Sequence, residues 1–189
     1  MKNIIRPLPI FTTTIDKSIM TYLMNMGETI TTTVYIYYIE GPEKKIIVDT
    51  GGSAETTIKM GVPSEQLSSP ELELGKLGLR PEDIDIVLVT HLHCDHIEYG
   101  SKFKNAKFVI QKNELDFGLN PHPLFAGAMF KDHFENLNFE VIDGDKEMIK
   151  LIWNYIDGMP KQALEHIGDE KKPVRILYVP AKNKKEGRK

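Results

Sequence analysis

The sequence predicts a layered α/β (α+β) domain, and three observations predict it. Segments rich in β-branched and aromatic residues alternate with short helical patterns. One of these segments, "PEDIDIVLVT" (81–90), begins polar and becomes a continuous apolar run, the mark of a strand buried on both faces. Directly after it, "THLHCDHIEYG" (90–100) gathers three of the six histidines with the only cysteine and an aspartate. Sites in open sheets gather at strand carboxyl ends.

The elements follow in order. "ITTTVYIYYIEG" (30–41) reads as a strand, "PEKK" (42–45) as a turn, and "IIVDTGG" (46–52) as a second strand of a hairpin. Two glycines end it and allow positive φ. Ser69 and Pro70 open a helix over 71–77 that carries Leu72 and Leu77 inward, and Gly78 stops it. The buried strand covers 84–90, "AKFVIQ" (106–111) is a further strand and "KNELDFGL" a helix over 112–118. "NLNFEVIDGD" (136–145) alternates like a strand, centred on 138–142, and "KPVRILYVP" (172–180) is the last. A single domain over 1–181 and a frayed basic tail over 182–189 are expected.

Composition narrows the function. With 41% hydrophobic and 27% charged residues the chain is globular rather than disordered. A net charge of −3 gives no reason to expect nucleic acid or an anionic membrane as partner. The opening "MKNIIRPLPIFTTTIDKS" is too polar for a signal peptide, and no apolar run approaches the ~20 residues of a membrane span. A lone cysteine, Cys94, forms no intramolecular disulfide, so a cytoplasmic location is expected.

In an extended segment alternate residues share a side. His91 and His93 then face one point, while Asp95 and His96 face a neighbouring one if the chain turns there. Imidazole and carboxylate suit zinc, iron or manganese. Cys94 points away and reads as a packing residue, with a ligand or reactive thiol as the alternative. Asp49, in "VDTGG", reads either as a turn former or as the residue that orients a metal-binding histidine.

His-x-His-x-Asp-His resembles the signature of the metallo-β-lactamase superfamily. "IIVDTGG" upstream and "NAKFVIQKNEL" downstream fall in that superfamily's order. The opening "TIDKSIMTYLMNMGETITTTVYIYYIEG" and "LNPHPLFAGA" resemble its N-acyl homoserine lactonase-like branch. The resemblance implies an αββα sandwich and a metal-bound hydroxide attacking the carbonyl of a small-molecule lactone or ester. It implies that His91 and His93 hold one metal, zinc by expectation with iron or manganese as substitutes. Asp95 and His96 hold a second, and Asp95 also shuttles a proton.

The later part departs from the family. No Thr-Pro-Gly-His turn and no Gly-Asp-Ala turn follow; ungapped placement puts Asp157 and Pro180 at those positions. The chain therefore reads as truncated, with the C-terminal half of the sandwich incomplete. His122, His133 and His166 are the remaining histidines; His122, in "PHP", suits a turn or pocket. Three functions compete: a metallo-hydrolase, a non-catalytic remnant that binds metal weakly and self-associates as a homo-oligomer, and an iron-binding redox protein.

Overall fold

The computed structural model describes residues 4–144 except 22 and 42. Expectations for the strand at 172–180, the tail at 182–189, and His166, Asp157 and Pro180 lie outside the described residues.

Among the described residues, seven strands form one mixed sheet in the order β4-β1-β2-β3-β5-β6-β7. They are β1 (Ile4–Asp16), β2 (Thr29–Glu40), β3 (Lys45–Val48), β4 (Ser64–Gln66), β5 (Ile86–Leu88), β6 (Lys107–Gln111) and β7 (Phe139–Ile142). Four α-helices accompany them among the described residues: α1 (Ala54–Lys59), α2 (Pro70–Gly75), α3 (Cys94–Ile97) and α4 (Lys112–Leu119). The hairpin read from sequence is present, with Tyr37 opposite Val48 in antiparallel β2 and β3. Strands β3, β5, β6 and β7 then run parallel. No described helix is long and apolar enough to cross a membrane.

The apolar run of β5 is explained by its place. Val87 and Val89 join the main core with Ile36, Ile47, Phe108, Ile110, Leu92 and Ile97. Ile86 and Leu88 pack on the opposite face with Ile39, Ile46 and Val109. All three residues of the strand are buried, so polar alternation has no place in it.

Three differences from the sequence reading have local causes. β1 pairs with β2 over its whole length, although Pro7 and Pro9 argue against a strand. The prolines are tolerated because pairing with β4 begins only at Phe11, so neither sits between two paired strands. At α2, Leu77 packs against the core as expected, but the other inward side chain is Leu74, fully buried, whereas Leu72 is 64% exposed. Ser69 caps this helix through Leu72 N, and the turn after it closes on Gly78 at φ 73°. The third difference is α3: the extended chain turns helical at Cys94, inside the histidine motif.

Candidate metal centre

The motif leaves β5 and is held by its neighbours at several points. Asp49 follows β3 and is 4% exposed. Its carboxylate accepts hydrogen bonds from Thr90 N (2.8 Å), Thr90 Oγ1 (2.7 Å) and His96 Nδ1 (2.7 Å). To reach them Asp49 adopts φ 59°, a left-handed conformation that costs a non-glycine residue about 1–3 kcal/mol. Thr50 N donates to His96 O at 2.8 Å. Gly52 lets α3 come close: a Cβ there would lie 2.6 Å from Cys94 O.

Two further braces come from glutamates. Glu114 of α4 accepts Leu92 N at 2.9 Å, and Leu92 fills the space that a side chain at Gly118 would need. Glu98, just past α3, accepts Ser53 N (2.7 Å), Ser53 Oγ (2.8 Å) and Thr56 Oγ1 (2.8 Å). It thereby ties the start of α1 to the motif.

One donor atom each from His91, Asp95 and His96 lie within 4.8 Å of one another, and all three residues are half-buried. This grouping differs from the pairs read by alternation. Alternation holds only as far as His93; the helical turn at Cys94 then swings Asp95 and His96 beneath His91. The His91 and His96 rings are 4.0 Å apart between centroids, and the His93 ring is 4.7 Å from that of His91. His93 stands beside the group rather than within it.

Two of the three groups, His91 and Asp95, are held in the form a cation takes as ligand, and His96 has to lose a proton to join them. Burial and the nearby His96 and His93 push the His91 imidazole down to about 4. That leaves it a neutral donor. Burial disfavours the His96 cation, but hydrogen bonds to Asp49 and Asp95 outweigh it and raise His96 to about 9. Burial also raises Asp95, yet the hydrogen bond and charge of His96 hold its carboxyl below the ordinary range. His96 Nε2 and Asp95 Oδ2 face each other at 3.4 Å, two donors turned to one point. Two imidazoles and a carboxylate, half-buried and oriented from behind, fit a divalent ion.

Cys94 is 3% exposed, with its Sγ 3.6 Å from Met60 Sδ, in keeping with a packing role. Burial pushes its thiol up to about 11. Roughly a hundredfold less thiolate then forms than at an ordinary cysteine. Iodoacetamide is expected to label Cys94 slowly in native protein and fast in denaturant. Equal rates would place the thiol outside the core. His122, as expected of a turn residue, accepts Leu124 N at 3.3 Å. His133 is half-buried against Phe130 and is not among the converging donors.

A family model described as the metallo-beta-lactamase superfamily matches residues 30–111. An N-acyl homoserine lactonase of Bacillus cereus is 25% identical, over 71% of this chain and 57% of the relative. A probable metallo-hydrolase of Methanocaldococcus jannaschii is 51% identical over 47 residues, 25% of this chain and 23% of that one. Among solved structures, a quorum-quenching N-acyl homoserine lactone lactonase superposes with a TM-score of 0.61 at 23% identity. It covers 76% of this chain and 57% of that one. A probable metal-dependent hydrolase from Staphylococcus aureus gives 0.59 at 22%, over 75% and 59%. The chain therefore shares its fold with these solved structures, and it spans about 57% of the curated lactonases it matches.

Residues that the sequence reading did not single out, Thr90, Glu98 and Glu114, do much of the positioning. Each lay within a stretch that stood out, Thr90 and Glu98 in "THLHCDHIEYG" and Glu114 in "NAKFVIQKNEL", but none carried a signal of its own.

Proposed function

We propose that this chain is a metal-dependent hydrolase of the lactonase-like kind, acting on a small-molecule lactone or ester, with zinc as its metal. The observation that carries this reading is the convergence of His91, Asp95 and His96 on one point of a superfamily fold. His93, beside His91, is the further ligand. A bound divalent ion supplies a Lewis acid and acidifies water. The chain's residues do the rest. His91 and His96 present Nε2, since each Nδ1 is engaged from behind. Asp49 keeps the His96 ring in place. Asp95, held anionic, takes up a proton and returns it to the leaving oxygen. The N-acyl homoserine lactonase relatives favour a lactone over other esters. A cytoplasmic location belongs to the same reading.

A second reading is a non-catalytic piece of the fold that binds metal weakly and self-associates. It draws support from the single group of converging donors among the described residues. Three protein ligands are about the fewest a catalytic zinc site uses.

Elemental analysis of dialysed, zinc-loaded protein is expected to return one ion per chain, lost in His96→Ala. Opening of an N-acyl homoserine lactone should be slow and dependent on His96. A bound ion without such hydrolysis selects the second reading, and no retained ion removes the first. Two tightly held ions with brisk hydrolysis would mean that further ligands come from outside residues 4–144 or from another copy.

A further inference from the structure

The geometry points to Thr90 as a positioning residue whose hydroxyl fixes which ring nitrogen of His91 is left free to face the site. The evidence is a chain of two hydrogen bonds. Thr90 Oγ1 lies 2.7 Å from Asp49 Oδ2 and 3.0 Å from His91 Nδ1. A hydroxyl has one proton. Asp49 is a carboxylate that already accepts Thr90 N and His96 Nδ1, so it acts here only as an acceptor. The Thr90 proton therefore goes to Asp49, in a charge-assisted bond. Toward His91 the same oxygen can only accept. Nδ1 of His91 must then carry the ring proton, and Nε2 keeps its lone pair.

The consequence is that one oxygen, Asp49 Oδ2, orients two histidines. It holds His96 directly and His91 through Thr90. This arrangement separates the two residues experimentally. Loss of the Thr90 hydroxyl should disturb His91 alone, because Thr90 N still donates to Asp49. Thr90 is exposed, so an isosteric change leaves no cavity in the core.

The test uses full-length, metal-free, nitrogen-15-labelled protein at pH 7.5. Long-range proton–nitrogen correlation spectra report which nitrogen of each imidazole is protonated, and His91→Asn assigns the His91 signals. Wild type is expected to carry the His91 proton on Nδ1. Thr90→Val should move it to Nε2, the form free imidazole favours, and Thr90→Ser should restore Nδ1. In parallel, zinc affinity measured by chelator competition should fall about tenfold in Thr90→Val and recover in Thr90→Ser. This second readout rests on His91 being a metal ligand, as proposed above. A tautomer change without an affinity change would sink that assignment and leave the role of Thr90 standing. Wild-type His91 protonated on Nε2, or Thr90→Val leaving Nδ1 protonated, would overturn the role itself. The wild-type spectrum decides even if the valine variant does not fold.

Discussion

Asp49→Ala is expected to destabilise the protein by about 3 kcal/mol or more and to weaken zinc binding at least about tenfold. The carboxylate is 4% exposed and receives three donors, Thr90 N, Thr90 Oγ1 and His96 Nδ1. Alanine removes all three bonds at once. Half-buried His96, which the carboxylate holds in its charged form, then loses its stronger partner. Alanine also has to adopt φ 59°, where its Cβ meets the carbonyl oxygen that follows. Asp49→Asn separates these contributions. Asparagine tolerates the left-handed backbone and keeps the shape, but loses the charge and turns one donor toward another. Its loss should be smaller than alanine's in stability and similar in metal affinity. Denaturant midpoints and chelator competition measure both. An alanine variant within about 1 kcal/mol of wild type would mean that water replaces the carboxylate freely.

What could be read from the sequence follows from how local the cause is. Strands β5 and β6 were legible because burial on both faces leaves an unbroken apolar run. Helix α2 was legible at its start because Ser69 and Pro70 sit next to what they cap. Strand β4 was not, since "SEQ" has no apolar residue and exists only by pairing with Phe11–Thr13. Helix α1 is six residues long and owes its anchored start to Glu98, 45 positions beyond Ser53. The converging donors were legible as residue types, because histidines are scarce and cluster here. Their grouping was not, because it depends on where an extended chain becomes helical. That point is set by contacts with "DTGG" and α4 from far along the sequence. The role of Asp49 was legible as orientation of a histidine, but its direct partner is His96, with His91 reached only through Thr90.

Gly52→Ala is expected to be nearly as damaging as the loss of Asp49, through packing rather than polarity. A Cβ at Gly52 would lie 2.6 Å from Cys94 O, 2.9 Å from the Asp95 Cα and 3.0 Å from Glu98 Oε2. The first two obstacles are backbone, so no rotamer change relieves them. The start of α3 has to move away from the "DTGG" turn. It is tied there by Thr50 N to His96 O and by Tyr99 N to Gly51 O, at 2.8 and 3.3 Å. The strain therefore falls on the segment that carries Asp95 and His96. Overpacking of this kind costs about 1–3 kcal/mol, and a rigid backbone obstacle puts the expected value at the upper end. Displacing two of three donors should also lower zinc affinity, beyond what a uniform loss of stability gives. Two other glycines calibrate the result. A Cβ at Gly118 meets only the Leu92 side chain, at 2.4 Å, which can shift, so Gly118→Ala should be milder. Gly75 lies in α2 with nothing within 4 Å, so Gly75→Ala should stabilise by about 0.5–1 kcal/mol. Thermal midpoints should therefore rank Gly75→Ala above wild type, then Gly118→Ala, then Gly52→Ala. A Gly52→Ala protein that matches wild type in both midpoint and zinc affinity would show that α3 does not sit against Gly52 as closely as described. The positioning of Asp95 and His96 would then have to come from Asp49 and Glu98 alone.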